Sequence, residues 1–232
     1  MPETVLALPG YWSEDLHELR TNLKPLGYII TGERVFCSAN ERYYEFERTD
    51  AIEKMSETFY PREAFRDEDL KDIDSHTSCL YIIAETESVE DVRCLVQFIA
   101  DLVKIDGIAV KIESSGRSFI KKEWLNIKQT SNLYDAMTTM IELEDGTYVT
   151  CGLHQFGEPD VMFTCFSPDE LSEWFNNWTE MSESAKHHAL EAGELKLSIG
   201  RAVLSIEPHR LYPEDDLFFN PYGIVIFERI DS

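Results

Sequence analysis

The chain is 232 residues long, and 43 % of them are hydrophobic and 12 % aromatic, which is enough apolar material for a core and excludes a disordered chain. Its 44 acidic and 21 basic residues give a net charge of -23, which disfavours bare nucleic acid and anionic membranes as partners. The longest apolar stretches are too short to span a bilayer, and the N-terminus lacks the basic start of a signal peptide. These features predict a soluble cytoplasmic protein.

The cysteines indicate neither disulfides nor a metal site. Five of them stand at positions 37, 79, 94, 151 and 165, an odd number at irregular spacing with no CxxC pair. Most lie within apolar runs, which is typical of buried free thiols in a reducing compartment. Their spacing does not suit zinc, and we expect no metal and no cofactor.

The chain opens with a predicted strand and helix. TVLALP has the apolar character of a short strand and is followed by Pro9 and Gly10, which end it. Ser13 is placed to cap a helix that runs to about Pro25. One face of this helix is apolar and consists of Leu16, Leu19 and Leu23.

Two strands and an acidic helix are expected next. Residues 28–37 and 42–48 predict strands on either side of a turn at 38–40, and YYEFE alternates as a half-buried strand does. Residues 50–73 favour an acidic helix that is interrupted near Pro61.

The clearest local unit is a strand, a helix and a second strand. CLYIIAE predicts a buried strand, and Ser88 followed by Asp91 is a variant of the capping box. The helix from Val89 to Ile105 carries an apolar stripe, with Gly107 placed as its C-terminal cap. IAVKIE predicts the next strand. Short connections on both sides of the helix favour a right-handed crossover between parallel strands, a βαβ unit.

The second half predicts strands around one strong helix. A hairpin is expected at Asp145-Gly146, and DVMFTCF, LKLSI, AVLSIE and GIVIFERI have strand character. SPDE at 167–170 opens a helix with a serine cap, a proline at its first position and a glutamate at its third. Large apolar residues then recur at a spacing typical of a core-facing stripe: Leu171, Trp174, Phe175, Trp178 and Met181.

Together these elements predict an α+β fold with a mixed, mostly antiparallel sheet, packed helices and one βαβ unit. No Gly/Ser linker, internal repeat or low-complexity tract divides the chain. We therefore expect a single domain over residues 1–232, or two intimately packed lobes of about 1–130 and 131–232.

Several motifs stand out for their order and spacing: LALPGYWSEDLHEL, LKDIDSHTSCLYIIAE, GIAVKIESSGRSFIKKEWLNI, LYDAM, YVTCGLHQFGEPDV and LYPEDDLFFNPYGIVIFE. In this order they resemble a bacterial family, domain of unknown function 4261 and its relatives. Members of that family resemble accessory proteins found beside secreted or contact-dependent toxins, so the resemblance implies a role in toxin immunity. The family pattern places a histidine about where Phe119 stands here, which does not favour a histidine-based activity for this chain.

The segment CGLHQFGEPDV, which begins at Cys151, is the main candidate for a site. It brings a thiol and an imidazole close in sequence to the carboxylates of Glu158 and Asp160. Cys151 and His154 would point to opposite faces of a strand, so they meet as nucleophile and base only if the chain turns at Gly152. The alternative is a structural loop, with His154 bonded to a backbone carbonyl and Asp160 bracing a turn.

Two weaker constellations lie elsewhere. His76 precedes one strand of the βαβ unit and Glu113 follows the other, so we expect them at opposite ends, which weakens a shared site. The carboxylates at 214–216 could hold a divalent cation, although hard-metal sites need wider spacing and a solvated turn is the alternative. No P-loop, GxGxxG, GxSxG or HExxH motif occurs, and we expect a protein that is not an enzyme.

Binding of a basic protein is the function that the charge favours most, with acids steering the encounter and aromatic side chains anchoring it. The first-choice contacts lie on the helix at 168–183, namely Asp169, Glu170, Glu173, Glu180 and Glu183. The second-choice contacts are Asp67, Glu68 and Asp69. With the resemblance, this predicts an immunity protein that neutralises a bacterial toxin by direct contact, as a monomer or homodimer. One alternative is a small-ligand binder or hydrolase-like enzyme that uses the loop around His154. The others are a scaffold or homo-oligomer subunit, and an acidic surface kept for solubility.

Overall fold

Two β-sheets, one from each half of the chain, form the framework of the protein. The structure is a computed structural model, which describes residues 3–15, 17–61, 64–127 and 132–230. Strands and helices occur in both halves, so the α+β class is confirmed, but there are two sheets where the sequence predicted one.

The first sheet has seven strands in the order β2-β3-β4-β5-β1-β6-β7, and each neighbouring pair is antiparallel. The interior strand β1 is buried along nearly its whole length, because β5 and β6 flank it and side chains cover both of its faces. The strands are β1 (Glu3–Gly10), β2 (Tyr28–Thr31), β3 (Arg34–Cys37), β4 (Arg42–Asp50), β5 (Ser78–Glu85), β6 (Ala109–Ile112) and β7 (Ser118–Ile120).

Helix α3 (Val89–Ile105) connects β5 to β6 and has the predicted bounds. The predicted cap forms, since the Asp91 backbone N–H donates to the Ser88 hydroxyl at 3.2 Å. Because β5 and β6 are both antiparallel to β1, they are parallel to each other, but β1 lies between them and splits the βαβ unit. The prediction that Gly107 caps the helix is wrong. Asp106 occupies the cap position, and a Cβ at Gly107 would lie 2.8 Å from the helix backbone.

The stretches 28–37 and 50–73 fold differently from the prediction. Residues 28–37 form two strands, since a left-handed turn at Gly32 (φ +60) reverses the chain between β2 and β3. In the second stretch β4 continues to Asp50, and the described residues include a 3-10 turn at Met55–Thr58 and the short helix α2 (Asp67–Asp74). The proline at the centre of this stretch interrupts any longer helix.

The first helix is shorter than predicted. α1 (His17–Leu23) begins where Asp15 Oδ1 accepts a hydrogen bond from the His17 backbone N–H at 3.0 Å, so Asp15 takes the capping role expected of Ser13. A 3-10 turn at Lys24–Leu26 follows. Leu19 and Leu23 are buried as predicted, and Leu16 lies outside the described residues.

The second sheet has six strands in the order β11-β12-β13-β10-β9-β8. It is mixed, because β10 and β13 are parallel while its other neighbours are antiparallel. The predicted hairpin at Asp145-Gly146 and the predicted helix start at Ser167 are both confirmed. The strands are β8 (Thr139–Glu142), β9 (Tyr148–Cys151), β10 (Asp160–Thr164), β11 (Glu194–Leu197), β12 (Gly200–Glu207) and β13 (Ile224–Ile230). The helices that follow α3 are α4 (Lys121–Ile127), α5 (Leu133–Met137), α6 (Pro168–Glu180) and α7 (Glu183–Ala192).

One hydrophobic cluster runs from the first sheet to the second. It contains Leu6 and Ile112 of the first sheet and Phe227 of the second, together with the apolar stripes of α3 and α6. Helix α3 contacts α1, α4, α5 and the 3-10 turn at Leu153–Phe156, so the main site candidate lies where the two sheets meet. None of the described helices has the length and apolar content needed to cross a bilayer.

Candidate functional site

The segment CGLHQFGEPDV forms a buried loop at the junction of the two sheets. The 3-10 turn at Leu153–Phe156 lies between Gly152 (φ 110) and Gly157 (φ 74), so the chain does turn at Gly152. A Cβ at Gly152 would lie 2.8 Å from Ser115 Cβ, and one at Gly157 would lie 2.5 Å from a backbone carbonyl oxygen of the first half. The two glycines therefore allow the loop to pack closely against the first half of the chain.

Asp160 is a fully buried carboxylate that ties three segments together. Thr150 Oγ1 and the Leu153 backbone N–H donate to Oδ1 at 3.0 and 3.2 Å, and Asn220 Nδ2 donates to Oδ2 at 2.9 Å. Burial raises the pKa of Asp160 to about 7, although these hydrogen bonds act in the opposite direction. Asp160 therefore braces the turn, with both carboxylate oxygens occupied by groups of the chain itself.

His154 is buried, and one of its ring nitrogens lacks a partner. It is 1 % exposed, and its Nδ1 has no hydrogen-bond partner among the described residues. Burial lowers the pKa of His154 to about 4, with a smaller effect from the neighbouring His209. His209 also has an unpartnered, buried Nδ1, and burial lowers its pKa. The structural-loop hypothesis predicts a hydrogen bond from His154 to a backbone carbonyl, and Nδ1 does not form one with the described residues.

Cys151 and His154 do not form an activated pair. Burial raises the pKa of the Cys151 thiol to about 12, although the nearby Tyr212 hydroxyl acts in the opposite direction. A thiol with this pKa keeps its proton at neutral pH and supplies no thiolate nucleophile. The arrangement therefore does not favour covalent catalysis by Cys151.

Glu158 belongs to a buried ion pair. Its Oε2 accepts a hydrogen bond from Lys186 Nζ at 2.5 Å, and its Oε1 accepts one from the Tyr134 hydroxyl at 2.6 Å. The Lys186 ammonium also lies over the rings of Tyr134 and Trp178, at 5.6 and 5.5 Å from their centroids. Glu158 thus fixes α7 and α5 to the loop.

His76 and Glu113 lie apart, at opposite ends of the strands as expected. The His76 imidazole donates from Nδ1 to the Ile73 carbonyl at 2.7 Å and accepts at Nε2 from the Ile52 backbone N–H at 2.9 Å, so both ring nitrogens are satisfied by the backbone. Glu113 pairs with Lys111 at 2.7 Å. His76 is a structural residue, whereas Glu113 borders a cavity.

Two cavities open along the junction beside the loop. The smaller has a volume of about 390 Å³, and its walls include His154 and the carboxylates of Glu3, Glu214, Asp215 and Asp216. The larger has a volume of about 680 Å³ and shares residues 215–217 with the smaller one. The segment at 214–217 therefore separates the two cavities.

The larger cavity is more apolar and contains two unsatisfied hydroxyls. Ser115 Oγ and Thr139 Oγ1 are buried without hydrogen-bond partners, and the Lys111–Glu113 ion pair lies at its edge. Ser115 follows β6 and Thr139 begins β8, so this cavity lies between the two sheets. Such positions between layers are common locations of ligand sites.

The carboxylates at 214–216 lie in a turn, yet they are part of the site. Asp216 Oδ1 accepts from the Phe218 backbone N–H at 2.8 Å, which stabilises the turn. Among the described residues, no three His, Cys, Asp or Glu side chains are grouped as metal ligands. Sequence reasoning treated this segment and the His154 loop as separate candidates and missed His209, Tyr212 and Asn220. The residue string LYPEDDLFFNPYG, rich in turn formers and aromatics, was the available signal for Tyr212 and Asn220, and His209 lies two residues before it.

Most first-choice partner-binding residues lie on an exposed stripe of α6. Asp169, Glu173 and Glu180 are exposed and, at about 100° per residue, lie within about 40° of one another around the helix. Glu183 is exposed in the first turn of α7. Glu170 differs, because it caps the helix through Ser167 and pairs with Arg229 at 2.8 Å.

The second-choice residues on α2 are partly compensated. Asp67 and Glu68 are exposed, but Asp69 accepts from the Arg66 backbone N–H at 3.1 Å and pairs with the Arg66 guanidinium at 2.8 Å. Lys71 is also exposed on this helix. The α2 surface therefore carries both signs of charge.

Comparisons with models of known protein families, with curated proteins and with solved structures found no match to this chain. The resemblance of its motifs to a toxin-associated family therefore stays a prediction.

Proposed function

We propose that the protein binds a basic protein partner through the outer surface of α6 and α7. This α6–α7 surface is defined by five carboxylate side chains, those of Asp169, Glu173, Glu180, Glu183 and Glu191. All five are exposed.

The observation that carries the proposal is the inward position of Lys186. Lys186 is the single Lys or Arg between residues 168 and 192. Its side chain is 10 % exposed, and its charge is used by Glu158 in the interior. Lysine is rarely buried unless it is paired, so this burial is a specific feature of the fold. The α6–α7 surface is left with carboxylates and no exposed Lys or Arg of its own, and the imidazole of His187 lies 3.3 Å from Glu191.

A surface of one sign attracts a partner of the opposite sign over distances of about one Debye length, roughly 8–10 Å at physiological salt. Such attraction raises the association rate and selects against acidic partners. The resemblance to toxin-associated proteins suggests a toxin as the basic partner. In that case the protein would neutralise it by covering a basic active site or docking surface.

Affinity capture from native cells tests this proposal with two matched variants. In the first, Asp169, Glu173 and Glu180 are changed to lysine. In the second, Asp67→Lys, Glu68→Lys and Asp72→Lys make the same change of charge on α2. We expect wild type and the α2 variant to recover a stoichiometric basic protein at low salt and the α6 variant to lose it.

Equal recovery by both variants would contradict the proposal, because it would exclude a role for the α6–α7 surface. Loss by the α2 variant alone would move the contact to the second-choice residues. Circular dichroism and urea unfolding of each variant control for loss of fold.

A further inference from the structure

The smaller cavity beside His154 has the chemistry of a site for an organic cation. We propose that it binds an alkylammonium or guanidinium group. This inference concerns the junction of the two sheets and not the α6–α7 surface.

Charge is the first reason. The cavity walls carry four carboxylates, of Glu3, Glu214, Asp215 and Asp216, and the described residues that line them include no Lys or Arg. These four side chains come from the first strand and from the segment before β13, so folding brings together charges that repel one another. A bound cation would relieve this repulsion.

The unpartnered histidine is the second and independent reason. His154 forms part of the cavity wall, is 1 % exposed, and has a buried Nδ1 to which no group of the described residues is hydrogen-bonded. A buried polar atom without a partner in a native fold calls for a ligand or water. The neutral imidazole has one nitrogen that accepts a hydrogen bond, and an ammonium or guanidinium N–H is a donor.

The remaining walls select an organic cation over a metal ion. Leu217, Phe219 and Pro221 supply apolar surface, and an aromatic ring such as Phe219 attracts a cation to its face. The volume of about 390 Å³ suits a group with a short methylene chain. Within the described residues the carboxylates are not grouped as metal ligands.

The cation has two possible sources with the same chemistry. It is either a free diamine or guanidino compound, or a Lys or Arg side chain of the basic partner. The second source rests on the proposed function, whereas the first does not. Two kinds of probe distinguish these sources. One is a free small-molecule cation, and the other is a lysine whose amino and carboxyl ends are blocked, as in a protein chain.

Isothermal titration calorimetry of the full chain tests the site. The probes are cadaverine, agmatine and N-acetyl-lysine methylamide, with pentanediol as the neutral control of similar length. We expect saturable binding of the cations at one site and no heat with the diol. In an NMR spectrum, the His154 ring signals should shift with the cations and not with the diol.

Two double variants separate the cavity from the general negative charge of the protein. Glu214→Gln with Asp215→Asn removes two exposed carboxylates of the cavity, while Asp169→Asn with Glu173→Gln removes two from α6. We expect the cavity variant to bind the cations roughly tenfold more weakly or worse, because hydrogen bonds between charged groups contribute strongly to binding affinity. The α6 variant should change the affinity by less than about twofold.

Binding of the free diamine without the blocked lysine would support a small-molecule cation. Binding of the blocked lysine, with weaker capture of the partner by the cavity variant, would support a partner side chain. The proposal is overturned if no cation binds at millimolar concentration, or if both double variants lose affinity equally. Cation binding to the cavity is measured without the partner, so its outcome does not depend on whether the charge-reversed α6 variant loses capture. Either proposal can therefore fail alone.

Discussion

The buried ion pair between Glu158 and Lys186 should contribute strongly to stability, and the consequence of breaking it can be estimated from its burial. Lys186→Met keeps most of the side-chain volume and removes the charge. The two side chains are 10 % and 18 % exposed, so Glu158 would be left largely desolvated without its counter-ion. Removing one partner of such a pair costs about 3–5 kcal/mol. We expect about 3 kcal/mol, because the Tyr134 hydroxyl still donates to Glu158 at 2.6 Å.

Urea unfolding of a double-mutant cycle measures this contribution. Lys186→Met, Glu158→Gln and the double variant should give a coupling energy of about 2–3 kcal/mol. The control is Arg201→Met, which breaks a pair with Glu194 that has an N–O distance of 2.8 Å and side chains 53 % and 51 % exposed. Arg201→Met should lower the free energy of unfolding by less than about 1 kcal/mol. If Lys186→Met destabilises no more than this control, Lys186 is not held inside, and the reasoning for an α6–α7 surface without an exposed Lys or Arg fails.

Three further predictions concern the loop and the cysteines. Gly152→Ala should destabilise the fold by more than about 1 kcal/mol in urea unfolding, because φ is 110 and the new Cβ would lie 2.8 Å from neighbouring atoms. Gly146→Ala is the control, since Gly146 has φ 80 but lies in open space, and it should lose less stability. Burial raises the pKa of Asp160 to about 7 from an unfolded value of about 3.9, so its stabilising contribution is full below about pH 4 and is lost as pH rises through 7. The unfolding free energy of Asp160→Asn should therefore rise relative to that of wild type as pH is raised from about 5 to about 8. A difference between the two proteins that does not change with pH would refute this. Iodoacetamide should label exposed Cys165 in the native protein but Cys151 only after unfolding, which mass spectrometry can follow, and early labelling of Cys151 would contradict its burial.

The elements that the sequence predicted well are those with strong local signals. Helix α3 has a serine cap and a long apolar stripe, and α6 has the Ser-Pro-Asp-Glu start, so their beginnings do not depend on distant contacts. The stretch at 50–73 had an acidic composition but no continuous apolar face, and tertiary packing under the first sheet decided its structure instead. Gly32 indicates a turn within 28–37, but the apolar residues on both sides of it favoured a single continuous strand.

The candidate site shows where local reasoning ends. The sequence pointed to His154 and Asp160, because an imidazole and carboxylates between glycines are unusual in a packing segment. The acidic wall at 214–216 is far along the chain, and it reaches His154 only because β13 pairs in parallel with β10. The same pairing places Asn220 against Asp160. The burial of Lys186 likewise depends on tertiary structure, since a lysine on a helix is normally solvated.

The central claim is that the α6–α7 surface binds a basic partner. Its most direct test is the association rate constant of the captured partner with wild type, measured by stopped flow as salt is raised, beside the variant in which Asp169, Glu173 and Glu180 are lysines. The account predicts a wild-type rate that falls steeply with salt, and a variant rate that is slower at low salt and nearly independent of it. Equal rates with equal salt dependence for the two proteins would contradict it.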